Sequence, residues 1–370
     1  MAKTKKEVPP VGTPSQQLLE KVSKLKSLSM IKTADEAMDM TVTCVSTGFP
    51  QLDRILRPVN GGWPRGRHAE VYSRREQSGK SSLMIQAAVA FQQAGLTCAL
   101  ANIENASTVE FFNALGLSTD VNHPTLCAPL LIGDMVGQLS AEEYLQAVKD
   151  TSSIVDFIGV DSVAAMDTAA NLAKSVDEAK GMGGISQPLG GSIRSNLHPQ
   201  AFIMWLNQSR CKIGAFNPAG GPVYCQPGGM AVGFFSSLRL EMSNIEKLKE
   251  KDSGDPIGFV VQIFTAKNRL GPPYRNCKLK YLFGEGFSSL WDYMDMAIKL
   301  GVIEKSGSWY EFTRTGDRAQ GLMALYRLIK ADPNLTAQLK HAIDGEAESE
   351  ARVAENVDQA LQFEPTRLEE

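Results

Sequence analysis

The 370 residues carry a net charge of −3, with 43% hydrophobic and 21% charged side chains. That composition suits an ordinary globular chain, long enough for one large α/β domain with smaller appendages. No apolar run approaches a membrane span, MAKTKKEVPP lacks the apolar core of a signal peptide, and the six cysteines (44, 98, 127, 211, 225, 277) form no C-x-x-C pair, which argues against a zinc site or disulfide framework and for reduced thiols in a cytoplasmic compartment.

Residues 1–14 are rich in Lys and Pro and are expected to be disordered. From Ser15, the apolar residues Leu18, Leu19, Val22, Leu25 and Leu28 form a helical stripe, with Lys21, Lys24 and Lys26 on the polar side. Such a helix needs a partner surface, either its own core or a neighbouring subunit. VTCVSTGFPQLDRIL and GGWPRGRHAEVYS then lead into a short apolar strand at 69–72. The stretch YSRREQSGKSS follows, and after it a helix, SSLMIQAAVAFQQAG, closed by Gly95.

Further buried strands are predicted at TCALANIE (97–104), SIVDFIGVDS (153–162) and AFIMWLNQS (201–209). Apolar runs that end in a polar residue and alternate with helical segments predict an α/β fold, a mostly parallel twisted sheet flanked by helices. Ligands in such sheets collect at the carboxyl ends of strands, where Glu104, Asp161, Asn207 and Gln208 fall. Stretches near 232–242, 259–267 and 277–284 read as an antiparallel extension. Beyond Gly286 comes a small region, FSSLWDYMDMAIKLGVIEKSGSWYEF, then a helical stretch over 317–343 with a boundary at Asp332–Pro333. Residues 341–370 hold nine acidic side chains against Arg352 and Arg367, so the remaining chain is net positive. Such a tail is either a solubilising disordered end or a competitor for a polyanion-binding surface.

Gly79-Lys80-Ser81, after a strand and before a helix, is the second half of a Walker A phosphate-binding loop. Backbone N–H groups of residues 78–82 would face the phosphates at the positive end of the helix, Lys80 would reach the β- and γ-phosphates, and Ser81 would ligate Mg²⁺. Counting back from Gly79, the position of the usual first glycine falls on Arg74. A helix start that happens to contain Gly-Lys-Ser is the alternative to the motif taken alone. Asp161, ending an apolar strand, is placed like the Walker B carboxylate that holds the Mg²⁺ water shell. Glu104, ending another strand, can polarise an attacking water as general base.

Together these residues resemble the bacterial and phage RecA recombinases, from about Ser15 to about Ile343. VSTGFPQLDRIL is similar to the family's lead into its core, IGVDSVAAM (158–166) to its Walker B strand, and LNQSRCKIG (206–214) to the segment entering its second DNA loop. TAKNRLGPPYRNCKLKYLFGEGF (265–287) and GVIEKSGSWYEF (301–312) resemble the end of the core and the start of the carboxy-terminal domain.

The resemblance implies a RecA-like core over 41–285, an oligomerisation helix and tail within 1–40, a small carboxy-terminal domain over 286–343 and an acidic disordered tail over 344–370. It implies ATP and Mg²⁺ as cofactors, with Glu76, Ser78, Gly79, Lys80, Ser81 and Ser82 around the phosphates and Ser81 and Asp161 at the metal. Gln208 would sense the γ-phosphate, Lys267 and Arg269 would act in trans on a neighbour's nucleotide, Phe111 would stack on adenine, and Phe283 would line the base from the neighbour; core packing is the plain alternative for both phenylalanines. DNA would be held by loops at about 171–191 and 209–229, with Arg194, Arg210, Lys212, Phe216, Gly228 and Gly229 as contacts. The expected partners are single- and double-stranded DNA and further copies of the chain in a helical filament.

The chain departs from the family pattern in three places. Ser73-Arg74-Arg75 contains no glycine and lies in a loop one residue longer, Asn102 stands where an acid is usual, and extra chain separates Glu104 from Asp161. Arg74 or Arg75 is expected to replace glycine's backbone contact by a side-chain contact to phosphate. The leading reading is an ATP-dependent recombinase that pairs and exchanges strands. A filament-forming paralogue with weak or no hydrolysis is the alternative. A hexameric RecA-like helicase is disfavoured by the K-N-R segment, the carboxy-terminal resemblance and the acidic tail.

Overall fold

The computed structural model describes residues 42–57, 61–104, 107–133, 139–174, 184–197, 199–211, 223–250 and 253–345. The expected helix after Ser15, the acidic tail beyond residue 345, Lys212 and Phe216 lie outside them. β1 (Cys44–Val45) pairs antiparallel with β2 (Trp63–Pro64) across α1 (Pro50–Leu56). Proline opens α1, where a missing N–H costs nothing, and Leu52, Ile55 and Leu56 are buried. β3 (His68–Ser73) is buried along its whole length and runs through the phosphate-loop segment into α2 (Lys80–Gln93).

β4 (Cys98–Asn102) leads to α3 (Val109–Ala114), where the Thr108 hydroxyl accepts from Phe111 N, then to β5 (Leu130–Ile132). α4 (Ala141–Thr151) begins with a capping box between Ser140 and Glu143, which satisfies two otherwise unpaired donors. β6 (Phe157–Asp161), α5 (Ala169–Leu172), α6 (Ser186–Ser195) and β7 (Phe202–Gln208) follow. The short strands β8 (Arg210–Cys211) and β9 (Tyr224–Cys225) pair with each other, and α7 (Ala231–Phe235) precedes β10 (Leu238–Lys249), β11 (Pro256–Asn268), β12 (Asn276–Leu282) and β13 (Gly286–Phe287).

These strands form a nine-stranded sheet in the order β13-β12-β11-β10-β3-β7-β6-β4-β5. From β10 to β5 the neighbours are parallel, and from β10 to β13 they are antiparallel. The mostly parallel sheet expected from the sequence is therefore present. The extension differs in detail: residues 231–235 are helical, and β10 runs parallel to β3, with Leu238 opposite Ala69 and Met242 opposite Ser73. α7 lies in the crossover that carries the chain from β7 to the opposite side of β3, as a parallel neighbour requires.

Successive residues of the central strands face opposite layers. Phe157 and Phe202 pack with Phe91 of α2, while Ile158, Ile203 and Trp205 pack with Leu145, Val148, Leu189 and Ile193 of α4 and α6. Residues 186–191, at the end of the expected first DNA loop, are thus helix. Ile185, Leu189 and Ile193 recur every fourth residue, and Gly190 lets α6 close on α7, where an added Cβ would lie 3.3 Å from Ala231.

After β13 come α8 (Ser289–Lys299), a three-stranded sheet of β14 (Ile303–Ser306), β15 (Trp309–Phe312) and β16 (Asp317–Gln320), and α9 (Leu322–Ala331); a further helix covers 333–345. Residues 317–320 are thus strand, not helix, since β16 completes the sheet against β15. This region has its own apolar cluster around Met294, Phe312, Leu325, Ile329 and Leu339. It is tied to α1 by buried Asp292, which accepts from Gln51 N at 2.9 Å and Gln51 Nε2 at 2.6 Å. Among the described residues no helix is long and apolar enough to cross a membrane.

Candidate active site

The carboxyl ends of β3, β6 and β7, with the turn after β4, open into one cleft of about 650 Å³. Glu76, Ser78, Gly79, Lys80, Ser81, Ser82, Glu104, Asp161 and Gln208 all line it, joined by Gln77, Phe259, Tyr281 and Phe283. Gly79 caps α2 in the left-handed region (φ 80°, ψ 18°), and Gln77 also has positive φ at 48°. Glycine is required at 79 for a second reason: an added Cβ would lie 2.8 Å from Phe287 Cζ.

The Lys80 ammonium is buried and donates to Ser73 Oγ at 2.8 Å, with Ser78 Oγ at 3.5 Å. Burial lowers its pKa, against the opposing pull of Asp161, Glu104 and Glu76. Burial raises the pKa of Asp161, and Glu104 adds to that, while a hydrogen bond from Ser81 and the charge of Lys80 oppose it. Glu104 sits two residues beyond β4, where its backbone N–H reaches Asp161 O at 3.2 Å and its carboxylate accepts a short hydrogen bond from Ser162 Oγ. Asn102 lies in register with Asp161; its Nδ2 donates to Ser107 O at 3.0 Å, and its buried Oδ1 has no partner among the described residues.

Gln208 is held by its neighbour: its N–H donates to Asn207 Oδ1 at 3.0 Å. The fully buried Asn207 amide in turn donates to Glu70 Oε1 and to Pro227 O, both at 3.0 Å, which links the strand end to the far side of the second loop. Glu70 is also paired with Arg239 at 2.6 Å. One wall of the cleft is aromatic. Phe259 and Tyr281 stack at 4.6 Å, Phe283 meets both edge-on, and Tyr281 OH lies 3.2 Å from Ser82 Oγ.

Several expected residues sit elsewhere. Phe111 does not line the cleft; half-buried on α3, it packs against the core. Phe283, expected at a neighbour's base, lines this chain's own cleft because β12 ends beside the phosphate helix. Lys267 and Arg269 do not line it: Lys267 Nζ donates to Gly233 O at 2.9 Å and Phe234 O at 2.7 Å, and Arg269 Nη2 to Phe234 O at 3.2 Å. Desolvation, with Arg269 and Arg239 nearby, lowers the pKa of Lys267 to about 8. Arg210, Gly228 and Gly229 line a second cavity of about 260 Å³ with Val163 and Ser186, and Arg194 is exposed on the last turn of α6.

Arg74 does not turn toward the cleft. Its Nε lies 3.1 Å from Glu241 Oε1, and its guanidinium sits 5.1 Å from the centre of the Tyr224 ring on β9. Sequence reasoning also missed Ser73, Ser162, Phe259 and Tyr281. Ser162 directly follows the Walker B carboxylate, and Phe259 and Tyr281 are cross-strand partners visible once register is known.

Residues 16–288 match the family model described as the RecA N-terminal domain, and residues 292–348 match the RecA C-terminal domain. The chain belongs to the RecA family. Protein RecA of Nitrobacter winogradskyi is 31% identical over 323 residues, covering 85% of this chain and 83% of that protein. Protein RecA of Chlorobaculum tepidum is 30% identical over 354 residues, covering 92% and 96%. Among solved structures, one described as a crystal structure of the RadB recombinase aligns with 66% of this chain and 98% of its own at 18% identity, with a TM-score of 0.45. The RecA family comprises DNA-dependent ATPases of recombination, and the match supports that activity at the level of the family.

Proposed function

We propose that this chain is an ATP-dependent DNA recombinase that assembles as a filament on single-stranded DNA and promotes homologous pairing and strand exchange. The observation that carries the reading is the convergence of Lys80, Ser81, Glu104, Asp161 and Gln208 on one cleft at the sheet's carboxyl edge. The cleft suits a nucleotide triphosphate with Mg²⁺. It offers a buried cation, a helix N-terminus and hard oxygen donors, with the orphaned Asn102 Oδ1 in register with Asp161. Among the described residues no three His, Cys, Asp or Glu side chains group as a metal cage, and Mg²⁺ shared with phosphates needs only one or two carboxylates.

When bound, ATP would supply the γ-phosphoryl group, whose bond to the ADP oxygen breaks as water attacks the phosphorus, and Mg²⁺ would neutralise the charge that develops. Lys80 is held ready by Ser73 and leaves that hydroxyl for the β- and γ-phosphates, which restore its full basicity. Ser81 and Asp161 would hold Mg²⁺. Glu104 accepts a proton from the attacking water, with Ser162 fixing its carboxylate. Gln208 reads the γ-phosphate and passes its position through Asn207 to Pro227 at the end of the second loop. Lys267 and Arg269 complete a neighbour's site, which ties turnover to assembly. Phe259, Tyr281 and Phe283 offer the base an apolar wall.

DNA is held through its phosphates by Arg194, Arg210 and Lys212, with Phe216 stacking on bases and Gly228 and Gly229 admitting close backbone approach. The core spans 41–285 and the carboxy-terminal domain 286–343. The test is strand exchange between circular single-stranded DNA and a homologous linear duplex with ATP and Mg²⁺. Joint molecules that need homology and ATP are expected. DNA binding without joint molecules or hydrolysis would instead identify the filament-forming paralogue.

A further inference from the structure

We propose that Arg74 is a positioning residue through which DNA at the second loop acts on the phosphate-binding loop. The idea rests on the DNA-stimulated ATPase reading above and names the side chain that carries the coupling. Arg74 occupies the place of the usual first glycine, and its side chain spans two elements outside the cleft. It pairs with Glu241 on β10 at 3.1 Å and lies over the ring of Tyr224 at 5.1 Å. Glu241 is fixed in the sheet, opposite Tyr72 of β3. Tyr224 belongs to the small hairpin that β8 and β9 form directly after Gln208, with Tyr224 opposite Cys211.

The residues flanking Arg74 set the position of the catalytic lysine. Ser73 Oγ accepts from Lys80 Nζ at 2.8 Å and donates to Arg75 O at 2.6 Å, while Ser73 O accepts from Ser209 N at 2.8 Å. Arg74 therefore sits between the two ends of the contact that anchors the Lys80 ammonium. A shift of its guanidinium pulls on the backbone that carries both.

Tyr224 is the exposed and exchangeable half of the clamp, with 39% of its surface accessible. An unpaired base stacks on an exposed aromatic ring more strongly than an exposed guanidinium does. Single-stranded DNA entering the second loop takes the Tyr224 face and displaces Arg74 from it. Arg74 is left with Glu241 alone, and the Ser73–Arg75 segment is free to release Lys80 to the phosphates. Linkage makes the effect reciprocal: nucleotide in the cleft must raise affinity for DNA by the same factor.

The test titrates a fluorescent ATP analogue into the full chain with and without saturating oligo(dT), beside steady-state hydrolysis. The wild type is expected to bind the analogue at least about fivefold more tightly with oligo(dT), the lower end of usual coupling strengths. In Arg74→Ala, affinity without DNA is expected to rise to the value the wild type reaches with oligo(dT), so that ratio collapses toward one. Tyr224→Ala loses the ratio as well, Tyr224→Phe keeps it because the ring face remains, and Arg74→Lys keeps little of it because an ammonium does not stack flat. Arg74→Ala with the wild-type ratio, or with affinity lost equally with and without DNA, overturns the proposal. If wild-type hydrolysis responds to oligo(dT) and Arg74→Ala still couples, only this inference fails; no wild-type response to oligo(dT) overturns both.

Discussion

Gly79→Ala tests the geometry of the phosphate loop where two independent constraints meet. The left-handed backbone at φ 80° costs a residue with a Cβ about 1–2 kcal/mol. The new Cβ would also lie 2.8 Å from Phe287 Cζ and 3.1 Å from Cε2. That ring cannot swing aside, because it is buried and meets Phe49 and Tyr281 edge-on at 6.4 and 5.2 Å. Overpacking of this kind costs roughly 1–3 kcal/mol. The total is about 2–5 kcal/mol, a large part of a typical domain's stability but not all of it. Urea unfolding should therefore show a lower midpoint with an unchanged slope, together with loss of nucleotide binding. Phe287→Leu in the same background should recover part of the loss, with a non-additive coupling of about 1 kcal/mol or more. An unchanged midpoint for Gly79→Ala, or strict additivity with Phe287→Leu, would refute the reasoning.

Burial raises the pKa of Asp53 to about 6 and of Asp292 to about 7. A carboxyl raised in the folded state gives stability that is fully present below about pH 4 and is lost as pH rises through 6 to 7. The urea midpoint is expected to fall between pH 5 and 7.5. Asp53→Asn, whose Oδ1 can still accept from Thr47 N while its Nδ2 donates to Ser46 Oγ in place of accepting from it, should flatten that slope; an unchanged slope would count against it. Lys267→Ala should abolish DNA-stimulated turnover yet leave nucleotide binding by the unassembled chain intact, and loss of that binding would contradict an action in trans. Because Lys267 has a pKa of about 8 in the lone chain, contact with a neighbour's phosphates should raise it, so assembly takes up protons and weakens from pH 7.5 to 9; measuring assembly in buffers of different ionisation enthalpy checks this. Truncation after residue 345 should tighten DNA binding most at low salt, and equal affinities at every salt would exclude competition by the tail.

The site was legible in the sequence where its parts are local. A strand, Gly-Lys-Ser and an apolar helix lie within a few turns of chain, and Asp161 and Glu104 follow apolar runs that can only be buried strands. What stayed hidden depends on long-range register. Phe259 and Tyr281 become a wall of the cleft only because β11 and β12 pair beside the phosphate helix. The orientation of Arg74 is fixed by Glu241 and Tyr224, on strands far along the chain. Gly190 reads as loop, yet here its missing side chain serves close packing between helices. For Phe111 the contacts match the plain alternative to adenine stacking, because the local α3 packs that ring against the core.

The most direct measurement is ATP hydrolysis with and without single-stranded DNA, for the wild type and for Lys80→Ala, at matched protein and Mg²⁺ concentrations. If the cleft at the ends of β3, β6 and β7 is a working ATPase coupled to DNA, the wild type hydrolyses faster with DNA and Lys80→Ala stays at background in both conditions. Equal background rates for the two proteins with DNA present would contradict that account.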